Sequence, residues 1–233
     1  DIAGPLGADV VIGVQESDLG RRSPVVFPSP GRILGESLRP KAFGRKMERN
    51  IFQLVALIGG MRSTINGGSR KNPPPAFTGS KRLPDFNSSD IAMGETPSAN
   101  ANCTARGLAK VAAMMSLGGR WGNEEFLNEE AWQALHGQVL GGDMGFASAH
   151  FSQGGLAQFG NLSDQSTATD RRLNEGREGF YGWMGLGGSI FQWHPEENIG
   201  FGYVPTSLNA IDFVNERGKS YQAEVLSCVR NLV

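Results

Sequence analysis

In the stretch GFYGWMGLGGSIFQWHPEENIGFGYVPTSLN, residues 179–209, a knot of glycines (Gly182, Gly185, Gly187 and Gly188) comes just before two aromatic-rich runs that flank the imidazole of His194 and the carboxylates of Glu196 and Glu197. Glycine at a strand entry lets another backbone or a ligand come close. The cluster therefore reads as a reaction site or as a tight corner. The common catalytic patterns are missing: no GxSxG elbow, P-loop, HExxH or EF-hand run occurs. The glycines do not spell GxGxxG, and no acidic residue follows where a ribose contact needs one, which argues against a dinucleotide. His136, His150 and His194 are widely separated and follow no metal-ligand spacing. His194, between two strand-like runs, reads as a surface turn residue. Glu129 and Glu130 follow Asn128 and read as first-turn carboxylates matched to a helix dipole, since nothing nearby offers a reacting partner. No cofactor and no metal are implied.

Composition narrows the field. The chain has 233 residues, 39% of them hydrophobic and 19% charged, enough for a packed core. Its 22 basic and 23 acidic residues leave a net charge of -1, with no electrostatic footprint for nucleic acid or an anionic membrane. No apolar run reaches the ~20 residues of a membrane span, and no signal peptide opens the chain. Cys103 and Cys228 are far apart and outside any CxxC pattern, so neither a disulfide scaffold nor a zinc site is indicated. The 33 glycines, roughly twice the average share, predict many tight turns.

Several elements must position the cluster. Leu6 to Val14 is apolar and partly β-branched, and reads as a short strand or extended segment. In GRKMERNIFQLVALIGGMRS, Met47, Ile51, Leu54, Val55 and Ile58 recur at helical spacing before the stop Gly59-Gly60. Arg70 to Asn102 carries Pro73, Pro74, Pro75, Pro84 and Pro97 and reads as a long loop. CTARGLAKVAAMMSLGG predicts a helix capped by Thr104, with Leu108, Val111, Ala112 and Met115 on one face and Gly118-Gly119 as the stop. Asn128 caps a second helix. Ser189 to Trp193 and Ile199 to Val204 read as a hairpin with a loop of about five residues, His194 to Asn198. In ERGKSYQAEVLSCVRNLV, Tyr221, Val225, Cys228, Val229 and Leu232 fall on one side of a C-terminal helix. Helices followed by a glycine-led hairpin and a closing helix predict an α+β fold.

The order AGPLGAD, PSANANCTARGLAKVAAMMSLGG, YGWMGLGGSIFQWHPEENIGFGYVPTSLN and ERGKSYQAEVLSCVRNL resembles the second half of the serine β-lactamase-related family: class C β-lactamases, penicillin-binding carboxypeptidases and esterases of similar fold. The resemblance runs from Asp1 to Leu232 and is strongest over Pro97 to Gly119 and Gly182 to Asn209. It implies a β-lactamase/transpeptidase-like fold, represented by part of the helical lobe plus the C-terminal hairpin and helix of the α/β lobe. It also implies an acyl-enzyme formed on a serine with a lysine one helical turn later, SxxK, and a tyrosine or serine in a second motif. Neither occurs here: Ser69 precedes Arg70-Lys71, Ser80 precedes Lys81, and no YxN is present. Both motifs lie upstream in the family. The chain opens on Asp1 without a methionine, and Gly4-Pro5 reads as the stop of a helix begun earlier, so residues 1–233 are expected to be the C-terminal portion of a longer domain.

The third motif of the family, KTG or HxG on the strand lining the cleft, falls by position on Trp183, Met184 and Gly185. An indole N–H donates only, so Trp183 reads as a cleft wall or core aromatic. The backbone N–H of Leu186 falls where the family completes its oxyanion hole. Gly185, Gly187 and Gly188 either let a substrate approach the strand or permit close packing, and both readings stand. The TG of Thr78-Gly79 lies in the proline-rich loop and leads no strand. The expectation is a chain inactive alone, whose intact parent hydrolyses a small-molecule ester or amide. The alternative is a non-catalytic protein of the same fold used for binding or assembly. The open hairpin edge also predicts self-association.

Overall fold

In the computed structural model, residues 2–43, 50–53, 55–56, 86–96, 100–143, 147–185, 187–209, 212 and 214–232 are described. The chain divides into two compact units: Val26–Asp85, and Asp1–Val25 together with Phe86–Val233. In the smaller unit, Ser29 caps a helix over Pro30–Leu38 by accepting a hydrogen bond from the Arg32 N–H. Residues 51–53 and 55–56 are helical as expected, and Asn50 and Gln53 exchange side-chain-to-backbone hydrogen bonds of 2.9 Å at the helix start. Met47, Leu54, Ile58, the SxxK-like candidates at Ser69 and Ser80, and all five prolines of the expected loop lie outside the described residues.

The larger unit begins with a departure from the sequence reading. Gly4 and Pro5 do not stop a helix; they sit inside the short α1, Ala3–Leu6, whose C-cap is the left-handed Gly7. Proline is tolerated there because a first-turn N–H has no intrahelical partner to lose. Two-residue strands follow, β1 (Val10–Val11) pairing antiparallel with β2 (Asn102–Cys103). A short helix, α2 here, spans Ser89–Met93 within the segment expected to be loop.

Thr104 caps α3, Ala105–Ser116, by accepting from the Gly107 N–H at 3.0 Å. After a small hairpin, β3 (Arg120–Trp121) with β4 (Glu124–Glu125), Asn128 caps α4, Glu129–His136, accepting from the Ala131 N–H at 2.8 Å. Glu129 and Glu130 stand exposed in its first turn, as the dipole reading requires.

A six-stranded antiparallel sheet then runs β10-β9-β8-β7-β6-β5. Its strands are β5 (Leu140–Asp143), β6 (Ser148–Phe151), β7 (Ala157–Gln158), β8 (Tyr181–Met184), β9 (Ile190–His194) and β10 (Ile199–Tyr203). Between β7 and β8 lies α5, Ala168–Asn174, started by a capping box of Thr167 and Asp170. Asp170 also accepts from the Ser148 N–H at 2.6 Å, which fastens the helix to β6.

The two faces of the sheet are covered by different helices, and β9 alternates between them. Phe191 and Trp193 join Ala112, Met114, Met115 and Leu6 on the α3 side; Ile190 joins Phe159, Phe180, Met184, Val214 and Leu226 on the other. Close approach of α3 is written in β10: a Cβ on Gly200 would lie 2.2 Å from the Ala113 nitrogen, and one on Gly202 2.7 Å from that of Ala109. On the opposite face α6, Glu216–Arg230, brings Gly218 against Ile190 and Tyr203.

The last helix turns its more apolar side mostly outward. The face turned inward carries Gly218, Lys219, Gln222 and Leu226, whereas Tyr221 is 62% and Leu232 85% exposed, with Val225 and Cys228 also outside. Of the five residues that sequence spacing places on one side of the helix, only Val229 packs against the core. Polar inward residues find partners instead: Gln222 donates to Gln192 at 2.6 Å and accepts from Arg177 at 3.2 Å. The hairpin differs from the sequence reading. His194 is the last residue of β9, 1% exposed and paired with Ile199, not a surface turn residue. Asn198 takes a left-handed φ of 53° and closes the loop over Pro195–Asn198, one residue shorter than expected.

Candidate functional site

The glycine cluster forms the corner between β8 and β9. The Gly185 N–H donates to the Ser189 carbonyl at 2.8 Å and the Gly188 N–H to the Gly185 carbonyl at 3.2 Å, which ties Gly185 to Gly188 and Ser189 in a turn. Gly187 and Gly188 have φ of 89° and 120°, a region that side chains rarely adopt. Their missing side chains face protein: a Cβ on Gly187 would lie 2.5 Å from the Leu208 Cβ, and one on Gly188 3.0 Å from Arg217 Nη2. At these two positions glycine serves close packing.

Trp183 is half-buried on β8, its ring centroid 5.3 Å from that of Phe151, and it packs against the cluster containing Met184. With Gln158, Leu173 and Asn174 it lines a small pocket. Met184 is buried, Gly185 is exposed, and Leu186 lies outside the described residues. β7 pairs with β8 only through Tyr181 and Gly182, so on that side Trp183 and Met184 have no strand partner among the described residues.

The histidines are structural. His136 Nδ1–H donates to the Trp132 carbonyl at 2.7 Å, and its Nε2 accepts from the Trp193 indole N–H at 2.9 Å, which fixes a neutral tautomer. The ring stacks on Trp132 at 4.0 Å and meets the edge of Tyr181 at 4.7 Å, stitching α4 to the sheet. His194 Nδ1 accepts from the Glu197 N–H at 3.2 Å, and its ring stands edge-on to Phe180 at 5.2 Å. Sequence spacing does not show the His136–Trp193, His136–Tyr181 or His194–Phe180 contacts, because these rings lie on separate elements. His150, half-buried on β6, lies over Gly141.

Burial pushes the pKa of both His136 and His194 below the ordinary imidazole value. At His194 the nearby Glu197 and Glu196 oppose that trend and Arg230 reinforces it. A depressed folded-state pKa means that the unfolded chain takes up the proton first. The stabilisation is complete above the unfolded value of about 6.5 and is lost as pH falls through the folded values. The melting temperature is therefore expected to fall between pH 7 and pH 5.5 in thermal scans monitored by circular dichroism; a flat profile would contradict the neutral, buried assignment.

No family model matches the chain, and no curated protein matches its sequence. Solved structures do match its fold. A penicillin-binding protein homolog from Caulobacter crescentus aligns with a TM-score of 0.59 at 18% identity, over 97% of this chain and 50% of its own. EstA from Arthrobacter nitroguajacolicus Rue61a aligns at 0.56 and 18% identity, over 95% of this chain and 50% of that one. A family VIII carboxylesterase aligns at 0.53 and 16% identity, over 95% and 49%. The chain has the α+β fold of the β-lactamase and penicillin-binding protein group. It spans about half the length of the solved structures it matches.

Proposed function

We propose that residues 1–233 are the C-terminal portion of a β-lactamase-like serine hydrolase that cleaves a small ester or amide through an acyl-enzyme. The observation that carries this reading is the open edge of β8 at Trp183 and Met184, leading into the glycine turn, in a fold shared with an esterase and a penicillin-binding protein homolog. A substrate carbonyl laid along that edge meets backbone N–H groups, and the N–H of Leu186 is assigned to the oxyanion that forms when a serine oxygen attacks. The attacking serine, and the lysine that takes its proton, belong to a segment upstream of Asp1. The chain by itself is accordingly inactive.

Trp183 supplies shape rather than protons, since an indole has no basic nitrogen to accept one. Its contact with Phe151 favours a second reading, in which the same fold is non-catalytic and binds or assembles. Trp183→His in the longer protein separates the two. At a working site the imidazole accepts and donates protons near neutral pH, and ester hydrolysis should rise several-fold with little loss of melting temperature. At a packing position the change removes a large aromatic surface and should cost about 2 kcal/mol without new activity.

A further inference from the structure

We infer that the start of α6 shapes the glycine turn, with Asn215 and Arg217 as positioning residues for the backbone that follows Trp183-Met184-Gly185. This rests on the reading of that turn as the place where a substrate carbonyl is met. Asn215 Nδ2 donates to the Gly185 carbonyl at 3.2 Å and to the Ser189 carbonyl at 3.3 Å. Arg217 Nη2 donates to the Gly187 carbonyl at 2.8 Å and to the Ser207 carbonyl at 2.7 Å. The Asn209 N–H adds a second donor to Gly187, at 2.9 Å. The carbonyls of Gly185, Gly187 and Ser189 are thus held by the start of α6.

Conformation and chemistry agree at these two residues. Asn215 is 1% exposed and has a left-handed φ of 52°, a region asparagine tolerates better than most side chains, and its amide reaches both ends of the turn. Arg217 lies against Gly188, where a Cβ would meet Nη2 at 3.0 Å, and its Nη2 carries two N–H groups for two carbonyls. A side chain that merely filled space would leave the Gly185, Gly187 and Ser189 carbonyls free to turn.

Amide hydrogen exchange on the chain itself tests the tether. In Arg217→Gln and Asn215→Ala, exchange at Gly188 and Asn209 is expected to accelerate at least about tenfold while α3 amides keep their wild-type rates. Arg217→Lys, which keeps the charge but loses the planar fork, should show the same local effect and covers the case in which a harsher variant fails to fold. Unchanged rates at Gly188 and Asn209, or equal acceleration throughout the chain, overturn the inference. In the longer protein, kcat for an ester should drop at least about tenfold with KM unchanged, as misplacing a group at the reacting centre does. Faster local exchange with an unchanged kcat overturns the positioning role. A wild-type longer protein with no ester turnover refutes the reading of the turn as a site, while the exchange rates still decide the tether.

Discussion

Replacing Arg177 with methionine should destabilise the chain by about 4 kcal/mol, read as a shift in the midpoint of chemical denaturation. The residue is fully buried. Its Nη1 donates to the carbonyls of Leu173 at 2.9 Å and Val214 at 3.0 Å, and its Nε to Gln222 at 3.2 Å, which in turn donates to Gln192. Burial pulls its pKa down to about 10, against the opposing pull of Glu216 and Asp212, so the guanidinium is still charged at neutral pH. Methionine fills most of the volume but leaves two carbonyls and an amide oxygen without a donor. Each unsatisfied buried group costs roughly 1–3 kcal/mol, partly offset because the desolvated charge is also gone. Native domains are held by only about 5–15 kcal/mol, so the variant should sit near the edge of folding. A loss under about 1 kcal/mol would mean that the network is not built around Arg177.

Gly200→Ala should be nearly as damaging, at about 3 kcal/mol, the upper part of the usual range for overpacking. The added carbon would lie 2.2 Å from the nitrogen and 2.5 Å from the Cα of Ala113, backbone atoms that yield only if α3 moves off the sheet. Gly35 provides the contrast. It lies within the helix over Pro30–Leu38 with nothing within 4 Å of its virtual Cβ, so Gly35→Ala should stabilise by about 0.5–1 kcal/mol. Thermal melts of both variants beside the wild type check the pair; equal effects would contradict the packing described for β10.

Local signals in the sequence were strong where one residue type does one job. Thr104 and Asn128 start their helices, and two aromatic runs joined by an Asn-containing turn make the β9–β10 hairpin. The strands β5 to β7 were not legible. They are short, contain Gly141 and Gly142, and gain their order from neighbours across the sheet. The capping box of α5, Thr167 with Asp170, opens a helix of seven residues whose sequence carries no apolar periodic run to mark it. Apolar spacing places Tyr221 and Val225 on one side of α6 but does not tell that this side faces outward. Gln222 is inside because Gln192 and Arg177, 30 and 45 residues earlier, complete its hydrogen bonds. His194 is buried against a sequence-distant neighbour too, its ring edge-on to Phe180. At the candidate site, Trp183, Met184 and Gly185 are neighbours in sequence and stay together in any fold. The tether from Asn215 and Arg217 was not legible, since it joins elements about 30 residues apart.

The central claim is that this chain carries a wall of a serine hydrolase cleft and not its nucleophile. Turnover of a chromogenic ester, with a serine-directed phosphonate mapped by peptide mass, tests it on the isolated chain and on the longer protein side by side. The account predicts no turnover and no adduct for residues 1–233 alone, and in the longer protein phosphonate-sensitive turnover with the adduct on a serine upstream of Asp1. An adduct on a serine within residues 1–233 that abolishes turnover, or a longer protein with neither turnover nor adduct, would contradict it.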